Sequence, residues 1–406
     1  MSARKMKDSG NQWIGKIPEE WEMRKIKFVA NISTGNTPSK NNEEYYSEQG
    51  LNWVKPDNLK GFNEIRTTEE RLSNEGQKVA RIAPANSVLV CCIGTIGKIG
   101  YSSESVAYNQ QINAVTFSEK LNWKYGMYFL SSQQEQARFY MNGNVVFILN
   151  AENQKKIEIT LPDFKVQQKI VNYLDEKCAA IDKIVASKQK QNEQLAEYRQ
   201  SLITEAVTKG LKPSAPMKDS GIEWIGQIPK EWKVCKIKYL SEMKSGESIT
   251  SSEIVEAGQY PVYGGNGLRG YTSTYTNDGK HILIGRQGAL CGNVRSVEGK
   301  FWATEHAVVV YEHDNIDVNW FNYSLEAMNL NQYSTSAAQP GLSVEQITNI
   351  LACVPPLAEQ KEIASYLDKK CGEIDALSER NKNIIESLQE YKQSLIYEAV
   401  TGKIEL

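Results

Sequence analysis

No run of about 18 apolar residues occurs anywhere in the 406-residue chain, so no helical membrane span is expected. The opening MSARKMKDSGNQW has no apolar core of the kind a secretory leader needs. Cysteine is scarce and odd in number: seven residues, at 91, 92, 178, 235, 291, 353 and 371, with no CxxC pair. That count predicts reduced thiols in a cytoplasmic protein rather than a disulfide framework. The three histidines, His281, His306 and His313, lack metal-ligand spacing, and no metal site is expected. A large excess of positive charge is also missing. The formal net charge is −2, which argues against a globally cationic surface. Proline is absent from 163–212 and from 357–406, so each of these stretches is free to run as one uninterrupted helix.

What the chain does have is an internal duplication. Residues 161–213 align without a gap on 354–406 at an offset of 193, with 22 of 53 positions identical. Among them are Tyr173/Tyr366, Leu174/Leu367, Asp175/Asp368, Cys178/Cys371, Ile181/Ile374 and Asp182/Asp375. Pro162 and the pair Pro355-Pro356 mark the starts, and Gly210 and Gly402 lie where C-caps belong. One seven-residue series runs Leu174, Ile181, Lys188, Leu195, Leu202, and its counterpart runs Leu367, Ile374, Asn381, Leu388, Leu395. A second series begins Val171, Cys178, Val185. Two seams of this kind predict a coiled coil, about 65–70 Å long at 1.5 Å per residue. In an antiparallel pair the polar seam residues Lys188 and Asn381 are expected to come close and to set the register.

A shorter repeat precedes each variable segment. Residues 6–30 match 217–241 at 15 of 25 positions, keeping Trp13/Trp224, Ile17/Ile228, Pro18/Pro229 and Trp21/Trp232 in step. Tryptophans beside Gly and Pro suggest an extended lead-in that clamps onto a packed surface. The offset here is 211, so the second half is 18 residues shorter between lead-in and helix (211 − 193). The expected organisation is a first globular domain with its lead-in at 1–160, a helix at 161–210, a linker and second globular domain at 211–353, and a closing helix at 354–406. The variable parts, 31–160 and 242–353, align poorly with each other. Both read as mixed α/β segments built from short strands and Gly-punctuated turns, as in SVLVCCIGTIGKIGY from Ser87 and HILIGRQGALCGNV from His281.

The ordered set of motifs resembles the specificity subunit of type I restriction-modification systems over essentially the whole chain. The residues that carry the resemblance are DSGxxWIGxIPxxW at Asp8 and Asp219, Ser33–Ser39, Gly94–Lys98, Tyr260–Asn266, Ile284–Ala289, and QxxIxxYLDxKCxxID on both helices. The resemblance implies a mixed α/β fold with two target recognition domains held apart by an antiparallel two-helix coiled coil, in a pseudo-two-fold repeat. It implies that each domain reads half of a bipartite double-stranded DNA site. Two modification subunits would dock on the helices and methylate adenine, and restriction subunits would join for cleavage. S-adenosylmethionine would then belong to the modification subunit, ATP and Mg to the restriction subunit, and no cofactor or catalytic residue to this chain.

Charge supports DNA binding locally. Segment 242–353 carries 6 basic and 12 acidic residues, yet 269–300 holds five bases, Arg269, Lys280, Arg286, Arg295 and Lys300, against Asp278 and Glu298. Phosphates need such a patch, and base edges need Arg, Asn and Gln forks. In the second half the candidate contacts are Arg286-Gln287 on a turn after a strand, then Arg269, Arg295, Lys300 and His306. In the first half they are Lys98, Asn109, Gln110 and Gln111, with Thr37 and Lys55. Gly265–Gly270 fits GxGxxG but lacks a strand-turn-helix frame, and Gly94–Lys98 has Cys92 and Ile99 where a P-loop needs Gly and Ser/Thr. No NPPY- or DPPY-like segment of the adenine methyltransferases is present. The alternative readings are a self-sufficient DNA-modifying enzyme, which methyl transfer without partners would reveal, and a coiled-coil scaffold that binds no DNA.

Overall fold

A computed structural model describes residues 4–143, 147–288, 290–334 and 341–406. Residues 1–3 of the first domain and Ala289, the last residue of one carrying motif, lie outside the described residues. The chain forms two compact units, Met1–Ser187 with Ile384–Leu406 and Lys188–Asn383. Each long helix, Phe164–Lys209 and Leu357–Val400, therefore supplies residues to both units. Among the described residues no helix is long and apolar enough to cross a membrane.

The two units share one topology. In the first, an antiparallel sheet has the order Ala30–Thr34, Ile112–Phe117, Val88–Cys91, Ile99–Tyr101. In the second, Ser241–Ser245, Ala307–Glu312, His281–Gly285 and Val294–Val297 follow the same order. Val88–Cys91 and Ile282–Gly285 are buried throughout, as continuous apolar runs must be when both faces of a strand are covered. A second small sheet repeats as well. Tyr108 lies parallel to Val54 in one unit, and Ala303 lies parallel to Tyr263 in the other. The variable segments thus share a frame that their sequences hide.

The identical helix residues fasten each helix to its own domain. The buried Gln167 side chain donates to Pro162 O at 2.8 Å and accepts from Asn122 N at 2.8 Å, and Gln360 does the same with Pro355 O at 2.9 Å and Asp317 N at 2.8 Å. Eight residues further on, just over two turns, Tyr128 donates its hydroxyl to Asp175 at 2.8 Å and Tyr323 donates to Asp368 at 2.9 Å. Burial, with the carboxylate beside it, pushes both phenols well above their ordinary value. The seam cysteines behave as small buried hydrophobes, and burial lifts Cys178 to about 11.

Within each unit the helical segments run antiparallel. In the first, Lys392 donates to Asp182 at 2.6 Å and Val400 O accepts from Thr160 at 2.6 Å. In the second, Asn192 meets Asn381 while Arg199 reaches Asp375 at 3.4 Å. Leu174, Ile181, Leu367, Ile374, Leu395 and Asn381 are buried, and Lys188, Leu195, Leu202 and Leu388 are half-buried. The expected Lys188–Asn381 pair is corrected by this register. Asn381 donates to Asn192 Oδ1 at 3.0 Å, and Lys188 bonds Gln191 on its own helix at 3.0 Å. A long ammonium side chain reaches out to neighbours at the rim, whereas two short amides fit face to face. Asn192 continues the second heptad series from Val185, which was the sequence signal for it.

The lead-ins do clamp, and each clamps onto the end of the helix from the other repeat. Trp21 is buried, and a Cβ at Gly402 would come within 3.1 Å of its ring. Tyr397 donates to Trp13 O at 3.1 Å, and Lys403 donates to Ile14 O at 2.8 Å. In the second unit Trp232 packs at Gly210 in the same way, 3.2 Å from where a Cβ would sit. Both glycines have φ of +72°, the left-handed cap that terminates a helix and lets the indole lie close.

Candidate nucleic-acid interface

In each unit the loops at one edge of the two sheets are drawn together by a glycine. A Cβ at Gly35 would collide with the carbonyls of Tyr108 and Asn109, and one at the matching Gly246 with those of Ala303 and Thr304. This close approach sets the loop after the first sheet strand against the turn before the central one. Around it, Asn109 N donates to Val54 O at 3.0 Å and Cys92 N to Gln111 O at 2.8 Å. The second unit repeats the pattern, with Thr304 N to Tyr263 O at 2.9 Å and Arg286 N to His306 O at 3.0 Å.

The first edge thereby gathers Thr37, Lys55, Asn109, Gln110 and Gln111. Thr37 and Gln110 are exposed and bonded to each other. Asn109 is buried, its amide spent on Gln111 N and Gln111 Oε1 at 3.1 Å each, so it shapes the turn and leaves the open contacts to its neighbours. Lys55 lies over the Trp53 ring at 4.9 Å and pairs with Glu70. That hydrogen bond is the main cause holding the Glu70 carboxyl below its usual range. Lys98 faces elsewhere, lining a cleft of about 730 Å3 with Phe62, Asp182 and Lys392. Arg81, which the sequence reading passed over, belongs to this edge. Its backbone N–H bonds Asn36 Oδ1 at 2.6 Å and its guanidinium bonds Thr34 O. It stands outside any glycine motif, so only the fold brings it there.

The second edge gathers Arg269, Arg286, Gln287, Arg295 and His306. Arg286 is half-buried. Its Nη1 donates to Ser245 at 2.8 Å, its carbonyl accepts from Leu342 at 2.9 Å, and its Nε is buried without an acceptor among the described residues. Gln287 is exposed and pairs with Gly341. His306 sits 3.1 Å from Glu305. Arg269 and Arg295 are both exposed, Arg269 within the hairpin Tyr260–Gly264 and Gly267–Thr272 and Arg295 on Val294–Val297 with its guanidinium against Gly267. Lys300 is the outlier. Its ammonium lies 4.6 Å over Tyr275, which meets Tyr260 edge-on at 5.1 Å, at the far end of that same strand. The two edges thus share a backbone and differ in side chains: Thr37, Gln110, Lys55 and Arg81 stand on the first, and Arg269, Arg286, Gln287 and Arg295 on the second.

The type I restriction modification DNA specificity domain, as a family, matches residues 18–197 and again 229–387. The EcoprrI type I restriction enzyme specificity subunit of Escherichia coli is 30% identical over 372 residues, covering 86% of this chain and 87% of its own length. The MjaIX specificity subunit of Methanocaldococcus jannaschii is 24% identical, covering 84% and 85%. A chain solved in work on complex assembly and conformational transition of the type I R-M system superposes with a TM-score of 0.72 at 16% identity, over 96% of this chain and 99% of that one. That likeness establishes a common fold.

Proposed function

This chain belongs to the type I restriction-modification DNA specificity family, and on that premise we propose that it reads a split double-stranded DNA site, one half per unit. The observation that carries the reading is the repetition of one frame with two unlike edges, Thr37 and Gln110 in the first unit and Arg269 and Arg295 in the second. A common frame presents loops in the same way, and different side chains on those loops select different bases. In this reading the chain is cytoplasmic and performs no chemistry. Its helices dock two modification subunits, which bring S-adenosylmethionine, and restriction subunits bring ATP and Mg.

The test is an exchange of 242–353 for the equivalent segment of another family member, followed by methylation-sensitive sequencing of a host carrying the system. One half-site is expected to change and the other to persist. A change in both halves would overturn the reading. Calorimetry of the purified chain should show no stoichiometric binding of S-adenosylmethionine, and such binding would point instead to a self-sufficient enzyme.

A further inference from the structure

We propose that the hairpin Tyr260–Thr272 is the major-groove element of the second unit, with its own Arg269 and the adjoining Arg295 of strand Val294–Val297 as the guanine-reading side chains and Gly264 and Gly267 as the seats that aim them. The inference rests on the DNA-reading role above and deepens it. A two-stranded ribbon fits the major groove, about 12 Å wide, and this one turns on only Gly265 and Asn266. Its register pairs Val262 with Gly270 and then Tyr263 with Leu268. Arg269 is left as the extra, unpaired residue of a β-bulge, a device that re-aims a side chain and recurs beside functional sites. Gly270 absorbs the distortion at φ +147°.

Both arginines rest on backbone that lacks a side chain. A Cβ at Gly264 would sit 2.7 Å from Arg269 Cδ, and one at Gly267 would land on the Arg295 guanidinium. Neither guanidinium has a carboxylate within 4.0 Å among the described residues, whereas Arg199 of the same unit is held by Glu326 and Asp375. Segment 242–353 has twice as many acids as bases, so two unpaired arginines, one on the hairpin and one lying against it at Gly267, mark a surface kept free for an external acceptor. An exposed planar fork matches guanine O6 and N7. Arg286, tied to Ser245 and half-buried, positions the edge.

The guanine requirement should therefore fall in the half-site that the 242–353 exchange alters. Arg269→Ala and Arg295→Ala, in the full chain with its modification partner, are expected to relax preference at two different G·C pairs of that half-site. A lost bidentate contact corresponds to a drop of roughly 10-fold or more at each pair. Gly264→Ala, whose backbone angle tolerates a side chain, should reproduce Arg269→Ala by displacing the arginine. Arg269→Lys, which keeps the charge and loses the fork, should do so too. Two results would overturn the inference: an unchanged motif in both alanine variants, or a uniform loss over all sequences with a shallower salt dependence, the mark of phosphate contacts. Either leaves the half-site reading standing, because the exchange experiment tests that separately.

Discussion

Asn381 donates its side-chain amide to Asn192 across the helix pair at 3.0 Å, and Asn192 in turn reaches Ser378 O at 3.4 Å. This polar step lies in a seam that also carries Lys188, and it ties a residue of one repeat to a residue of the other.

Removing one partner should hurt more than removing both. Asn381→Ala removes the donor to the half-buried Asn192 Oδ1 and should cost about 1 kcal/mol. The double change to Leu is expected to restore stability while loosening register, as when apolar residues replace a buried polar pair in other coils. Denaturant midpoints would report the first effect and disulfide trapping across the seam the second.

The two lead-in tryptophans are predicted to differ. Trp232 Nε1 donates to Glu359 at 3.0 Å, but the buried Trp21 Nε1 has no acceptor among the described residues, because the repeat position of Glu359 is Val166 (359 − 193). Glu359→Ala should destabilise the second unit by about 1–3 kcal/mol, whereas Val166→Glu should stabilise the first by about 1 kcal/mol. Thermal unfolding of the two variants decides it.

Alkali should unfold the protein through Tyr128 and Tyr323. Their folded-state values are raised, so above the ordinary phenol value of about 10 the unfolded state releases protons that the folded state keeps. Stability is therefore fully present below about pH 10 and falls as pH rises beyond it. The double variant Tyr128→Phe with Tyr323→Phe should be weaker at neutral pH and show a flatter decline between about pH 10 and 11.5, measured by urea titration.

Much of the architecture was legible because it is duplicated. Gln167/Gln360 and Asp175/Asp368 stood out as identical pairs, and their matching hydrogen bonds explain why those positions repeat. Heptad spacing showed which residues face a seam, but spacing along one helix does not say what lies opposite, and so Asn192 was missed. The recognition edges were harder to read. Lys98 and Lys300 carry the right charge, yet one lines a cleft beside the helices and the other rests on Tyr275. Arg81 and Asn36 lie 45 residues apart and meet only in the folded chain. The common frame of the variable segments was hidden because strand pairing needs only alternating burial and turns, which many sequences satisfy.

The crossed clamping of lead-in and helix end also governs the order in which the protein can be completed. Leu395, Ile396, Ala399 and Val400 belong to the buried core around Trp21, Tyr125 and Leu174. The ribosome makes these four after every residue of the second unit. Every residue of the second unit, Lys188–Asn383, is made before any of 384–406. The first waits, its core open on one side, until residues 384–406 emerge. The half translated first is thus the half finished last, and it exposes apolar surface to chaperones and proteases for the longer time.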